Sequence, residues 1–177
     1  FLDEMDEAAK NIGAVNTIKI FRENGFRLKG YNTDAYGFHH SLLPFLKEEH
    51  HSALILGTGG ASKAVAYVFK ELGIDCLFVS RTPKNKEHIR YEDLTRSIIQ
   101  HYLIIVNTSP LGMYPNTSAF PEIPYEYIEK NHILYDLVYN PEVTQFLEKG
   151  RGNGATVLNG LKMLHLQAEK AWEIWNE

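Results

Sequence analysis

The feature that most constrains this chain is a run of glycines set between two kinds of apolar pattern. Ala53-Leu54-Ile55-Leu56 is continuously apolar, Gly57-Thr58-Gly59-Gly60-Ala61-Ser62 follows, and Ala61, Val65, Val68, Phe69 and Leu72 then recur at helical spacing up to Gly73. A strand apolar at every position suits a parallel sheet covered on both faces. A turn from such a strand into a helix aims backbone N–H groups outward at the positive end of the helix dipole, and residues without a Cβ let an anion reach them. The spacing therefore predicts a βα unit in which Gly57, Thr58, Gly59, Gly60 and Ala61 form a pyrophosphate-binding turn. Ser62 replaces the third glycine of the usual pattern and is small enough for close helix packing. A tight βα turn that binds nothing is the alternative reading.

Three more apolar runs extend the pattern: Cys76-Leu77-Phe78-Val79, Leu103-Ile104-Ile105-Val106 and Ile133-Leu134-Tyr135-Asp136-Leu137-Val138. Strands of this kind alternating with helical stretches predict an α/β, doubly wound domain. The second strand of a dinucleotide fold that takes NAD ends in an acidic residue for the ribose 2′-hydroxyl. Here it ends Val79-Ser80-Arg81-Thr82, with Lys84 and Lys86 beyond and no carboxylate at the tip. A guanidinium there forks onto a 2′-phosphate, which favours NADP. Taken alone, Arg81 also reads as a solvated loop cation.

Ahead of this unit, Ala14–Ile20 and Phe26–Tyr31 alternate about Glu23-Asn24-Gly25, the strongest short-range signal for a β-hairpin. Phe1–Lys10 reads as the end of a helix, and Phe38, Leu42, Phe45 and Leu46 predict another from Tyr36 to about Lys47. At the far end, Leu161, Leu164, Ala168, Ala171, Trp172 and Trp175 predict one apolar helical face, with the tryptophans as anchors. A net charge of −4 without a basic run gives no pull toward nucleic acid or membrane. No apolar run reaches the roughly 20 residues that span a bilayer. The single cysteine, Cys76, allows no intrachain disulfide, so a cytoplasmic location is expected. The pairs His39-His40 and His50-His51 lack metal-ligand spacing, and no metal site is expected. An acidic start at Phe1-Leu2-Asp3-Glu4, without an initiating methionine, reads as a fragment rather than a signal peptide.

Four further segments carry a resemblance: Gly13-Ala14-Val15-Asn16-Thr17 with Gly30-Tyr31-Asn32-Thr33-Asp34-Ala35-Tyr36-Gly37; Asn107-Thr108-Ser109-Pro110-Leu111-Gly112-Met113; Tyr135-Asp136-Leu137-Val138-Tyr139-Asn140-Pro141 with Thr144 and Leu147; and Asn159-Gly160-Leu161-Lys162-Met163-Leu164 with Gln167. In this order and spacing, across nearly the whole chain, they resemble the shikimate/quinate dehydrogenase family. The resemblance implies a Rossmann NADP-binding domain over 35–157, a remnant of the substrate-binding α/β domain over 1–34, and a helix at 158–177 that returns to the substrate side. It implies that Asp34 is the catalytic aspartate and that Asn16, Asp34, Tyr139 and Gln167 bind substrate. It also places the cofactor against Gly57–Ala61, Ser80, Arg81, Thr82, Thr108, Leu137, Gly160 and Met163, with Glu7 peripheral on the cofactor side.

The implied reaction is the NADP-dependent reversible reduction of 3-dehydroshikimate to shikimate. A ketone reduction needs a hydride and a proton for the developing alkoxide, and a polyol acid needs several side-chain partners. The family's Thr-x-Pro-x-Lys segment and Ser-x-Ser clamp are not in these 177 residues, so the catalytic lysine is expected upstream and the chain alone is expected to be weakly active or inactive. Apolar surface left on the hairpin and last helix favours a homodimer or aggregation. Quinate/shikimate dehydrogenase and a noncatalytic NADP-binding fragment are the alternatives. Singly, each residue keeps a plainer reading: Asn16 satisfying a turn, Asp34 an N-cap, Tyr139 packing beside Pro141, Gln167 solvated.

Overall fold

Strands that are apolar at every position must be covered on both faces, and the chain meets that demand by alternating them with helices. The computed structural model describes residues 1–22 and 25–177. In chain order it contains β1 (Glu4–Met5), α1 (Glu7–Ile12), β2 (Thr17–Phe21), β3 (Arg27–Tyr31), α2 (Thr33–Leu42), β4 (Ser52–Leu56), α3 (Gly60–Glu71), β5 (Asp75–Val79), β6 (His88–Ile89), α4 (Arg96–His101), β7 (Ile104–Asn107), β8 (Ile133–Asp136), α5 (Gln145–Gly152), β9 (Thr156–Leu158) and α6 (Leu161–Asn176).

Six strands form one parallel sheet in the order β6-β5-β4-β7-β8-β9. Counted from β4, this is the 3-2-1-4-5-6 order of a doubly wound Rossmann sheet. The strands feed two cores in alternation. Ile55, Ile104, Val106 and Tyr135 join Phe38 of α2 and Val65 and Phe69 of α3 on one face. Leu54, Leu56, Ile105 and Leu134 meet Ile99 of α4 and Phe146 and Leu147 of α5 on the other. A second sheet, in the order β1-β3-β2, pairs β2 antiparallel and β1 parallel to β3. The expected hairpin strands are therefore present, but their Asn24 turn lies outside the described residues.

Several elements differ from the sequence reading. α2 begins at Thr33 rather than Tyr36 because the Asn32 side chain accepts from the Ala35 N–H at 3.1 Å. Asn32, not Asp34, is the cap. The helix ends near Leu42 because Pro44 has no N–H to bond the His40 carbonyl, and a 3-10 turn at Leu43–Phe45 follows. The amino-terminal segment holds a short strand, β1, before α1, which Asp6 caps by accepting from the Ala9 N–H at 2.8 Å. The elements β6, β9, α4 and α5 carry too few apolar residues in too short a span to read from periodicity.

α6 buries a face other than the apolar one read from the sequence, which stays largely open, in line with the expectation of apolar surface on this helix. Its buried residues are Met163, Ala171 and Ile174, while Leu161, Trp172 and Trp175 are 40%, 66% and 54% exposed. Backbone proximity decides this rotation. At Gly37 an added Cβ would stand 2.6 Å from the Met163 carbonyl oxygen and 3.1 Å from Gln167 Cβ, so α2 and α6 touch through a residue without a side chain. Trp175 still ties α6 to the hairpin, since its indole N–H donates to the Ile18 carbonyl at 3.0 Å.

Two buried histidines serve as splints at the amino-terminal edge of the sheet. His50 Nδ1 accepts from the Lys47 N–H at 2.9 Å and its Nε2 lies 3.1 Å from the Asn131 carbonyl. His132 Nδ1 likewise accepts from the Glu129 N–H at 3.0 Å, with Nε2 3.0 Å from the Ile99 carbonyl.

Replacing Gly37 with alanine should therefore destabilise the protein by about 1–3 kcal/mol through overpacking. Urea denaturation would read this as a lower midpoint, and an unchanged midpoint would contradict the backbone contact.

Candidate functional site

A doubly wound sheet opens a crevice where the strand order reverses, outside the carboxyl ends of the strands. Here the reversal falls between β4 and β7, and the segments leaving both strands meet there. The Thr108 N–H donates to the Leu56 carbonyl at 3.0 Å, and the Thr108 hydroxyl donates to the same oxygen at 2.9 Å. Gly57 has φ +110°, and a Cβ on it would stand 3.0 Å from Thr108 Oγ1. Glycine is thus needed both for the backbone angle and for the approach of the Thr108 wall.

The cleft beside this turn has a volume of about 740 Å³. Of the residues expected at the cofactor, Gly57, Thr58, Gly59, Ser80, Arg81 and Thr108 line it and Thr82 does not. Gly60 and Ala61 instead form the first turn of α3, whose cap Gly59 offers no side-chain acceptor. The first-turn N–H groups of α3 are thereby left for an anion. At the tip of β5 the Thr82 N–H donates to Ser80 Oγ at 3.1 Å, bending the chain where Arg81 reaches the cleft. Tyr91, Glu92 and Glu122 also line it, none of them singled out by the sequence reading. The Ser62 hydroxyl closes back on the Gly59 carbonyl at 2.7 Å, a local reason for serine where a third glycine is usual.

A second cluster forms where the hairpin, α2 and α6 meet. Asn16 Oδ1 accepts from the Thr33 N–H at 2.9 Å, and its Nδ2 donates to Thr33 Oγ1 at 3.1 Å. Thr33 Oγ1 lies 3.2 Å from Gln167 Oε1. Asn16, Asp34 and Gln167 are thus gathered around Thr33, a hub that the sequence reading quoted only within a motif. Burial raises the Asp34 carboxyl above its usual 3.8, and the Asn16 amide beside it opposes the rise. Tyr139 follows β8 on an exposed turn, 49% accessible, outside this hydrogen-bonded group.

A chain of contacts links the two clusters. The Leu137 N–H donates to the Asn107 carbonyl at 3.0 Å, continuing from the Thr108 wall. Gly160 lies so close to Leu137 that a Cβ would fall 2.1 Å from its carbonyl oxygen. Met163 follows one turn into α6, and its carbonyl and Gln167 bracket Gly37 of α2. Leu137, Gly160 and Met163, expected at the cofactor, do not line the 740 Å³ cleft but form the bridge between it and the Asp34 cluster.

No protein-family model matches the chain. The NADP(+) shikimate dehydrogenase of Methanosphaera stadtmanae is 36% identical over 191 residues, and that of Methanococcus maripaludis 40% over 191 residues. Each alignment covers 99% of this chain and 66% of the relative. The crystal structure of Thermus thermophilus shikimate 5-dehydrogenase in complex with NADP(H) and shikimate is similar with a TM-score of 0.82 at 34% identity, over 98% of this chain and 66% of that one. The chain belongs to the shikimate dehydrogenase family. It spans 66% of the length of these curated relatives. Among the described residues, no helix is long and apolar enough to cross a membrane.

For a family member whose Asp34 is raised by burial, the pH dependence has a definite sign. The folded state binds the proton more tightly than the unfolded chain, so this stability contribution is present below 3.8 and is lost as pH rises through the folded value. Asn16→Ala removes the opposing amide, so Asp34 should titrate higher still and the decline should extend further up in pH. Carboxyl carbon NMR and denaturation at several pH values would check both. An Asp34 that titrates at or below its wild-type value in the variant would contradict the arrangement.

Proposed function

We propose that this chain supplies the NADP-binding cleft and one side of the substrate site of an enzyme that reversibly reduces 3-dehydroshikimate to shikimate. The observation that carries the reading is the bridge itself: one contiguous set of contacts runs from a glycine turn at the sheet reversal to a partly buried carboxylate flanked by amides.

The residues suit the cofactor. An uncapped helix start and bare glycines meet a diphosphate, and Arg81 at the β5 tip, where NAD folds place an acid, meets a 2′-phosphate. When bound, NADPH supplies the hydride for the ketone carbon. The rest falls to side chains. Asn16 and Gln167, both held on Thr33, present amides to the hydroxyls of a cyclic polyol acid, and their fixed geometry rejects analogues lacking those hydroxyls. Asp34, on the first turn of α2 and freed from capping by Asn32, exchanges a proton with the substrate oxygen. Its desolvation makes the carboxylate a better acceptor than an aspartate in water. The similarity of the Thermus thermophilus enzyme, whose structure holds NADP(H) and shikimate, favours the same pairing here.

Two measurements test this. Fluorescence titration of the chain should show NADPH binding more tightly than NADH. Arg81→Ala should weaken NADPH by about 10- to 100-fold, the worth of a charge-assisted hydrogen bond of roughly 1.5–3 kcal/mol, while leaving NADH nearly unchanged. In the protein that carries this chain, Asp34→Asn should lower turnover by about 10²- to 10⁴-fold with NADPH affinity kept within about twofold. Equal loss of both cofactors with Arg81→Ala, or full turnover with Asp34→Asn, would overturn the assignment.

A further inference from the structure

Asp136 stands at the carboxyl end of β8 and has no accessible surface. A buried carboxylate without a cationic partner is expensive to keep, so its contacts need a reason. It is registered directly across from Asn107 at the end of β7. Its Oδ1 accepts from Asn107 Nδ2 at 3.0 Å and from the Val138 N–H at 3.1 Å, and its Oδ2 accepts from Thr144 Oγ1 at 2.5 Å. Asn107 passes the constraint on. Its Oδ1 accepts from the Ser109 N–H at 3.0 Å and the Ser109 hydroxyl at 2.6 Å, and its Nδ2 reaches the Leu111 carbonyl at 3.3 Å.

We infer that Asp136 is a positioning residue of the cofactor cleft. Through Asn107 it clamps the Thr108–Leu111 wall, which borders the sheet reversal, against the Leu137–Thr144 segment that leaves the neighbouring strand β8. The inference rests on the reading that this cleft takes a nicotinamide dinucleotide. Three donors converge on two carboxylate oxygens, a pattern that an ionised carboxylate accepts as it stands; a protonated acid or an amide puts a hydrogen at one of the two positions, and the Thr144 hydroxyl must then turn from donor to acceptor. Burial pushes the Asp136 carboxyl up to about 6, with the Thr144, Val138 and Asn107 donors opposing it. Tyr125 is raised by its own burial and by the Asp136 charge; its hydroxyl donates to the Pro121 carbonyl at 2.7 Å and its ring lies 5.5 Å from the Lys149 ammonium. Cleft geometry and Asp136 ionisation are therefore linked, and cofactor affinity should fall as the carboxyl takes up its proton.

The test uses the wild-type chain, Asp136→Asn and Thr144→Val, titrated with NADPH and with NADH between pH 5.5 and 7.5, with melting curves recorded alongside. NADH carries no 2′-phosphate, so its pH dependence reports the protein alone. Wild type should lose NADH affinity severalfold on acidification to pH 5.5. Asp136→Asn should bind both dinucleotides about tenfold more weakly at pH 7.5 and show a flattened pH profile. Thr144→Val, which removes only the contact to Oδ2 and the α5 cap, should move in the same direction by a smaller factor, and carries the test if Asp136→Asn does not fold. Variants that bind as tightly as wild type, or that weaken only as far as their unfolded fraction accounts for, would overturn the role of Asp136. If wild type itself binds neither dinucleotide, the cofactor reading fails, and the role of Asp136 with it.

Discussion

Everything in this molecule depends on the reversal of strand order between β4 and β7. Parallel strands send all their carboxyl ends to one edge, and α3 after β4 and the segment after β7 part there to opposite faces of the sheet, opening a crevice that no side chain needs to carve. The requirement that both faces be covered sets the rest. Alternate residues of β4, β7 and β8 divide between two cores, so a one-residue slip in any of them would exchange the cores and break both.

Three close approaches then convert a generic crevice into a particular site. Gly57 lets the Thr108 wall come near the turn, Gly160 seats the start of α6 on the Leu137 carbonyl, and Gly37 brings α6 against α2. Each lacks a side chain where backbone must meet backbone or a neighbouring wall. Together they carry position from the cleft to Asn16, Thr33, Asp34 and Gln167, residues far apart in sequence. Buried polar groups lock the arrangement: Asn107, Asp136 and Thr144 on the side of the cleft, and the Thr33 hub on the other. An unpaired member of either group would carry a full desolvation penalty, which makes these networks selective for one geometry.

The long elements were legible in the sequence because their signals are local. The apolar runs of β4, β5, β7 and β8, and the glycine turn before α3, announce a dinucleotide fold without reference to anything distant. The absence of an acid after Val79 is equally local. Short elements escaped: a two-residue β6 and a three-residue β9 are strands only because a neighbour offers hydrogen bonds. The orientation of α6 escaped for a related reason. Helical spacing put Trp172 and Trp175 on one apolar face, but the helix is turned by the Gly37 contact, which a helical wheel cannot express.

What the sequence determined by itself was the parallel sheet, the glycine turn after its first strand and the acid-free tip of β5, since each follows from residue type and near-neighbour spacing. Only the tertiary structure decided that Asn32 rather than Asp34 caps α2, that Thr33 gathers Asn16 and Gln167, and that Asp136 meets Asn107 and Thr144. Those outcomes turn on which donors and acceptors the packed backbone brings within about 3 Å, a distance that hydrogen bonding demands and that sequence separation does not encode.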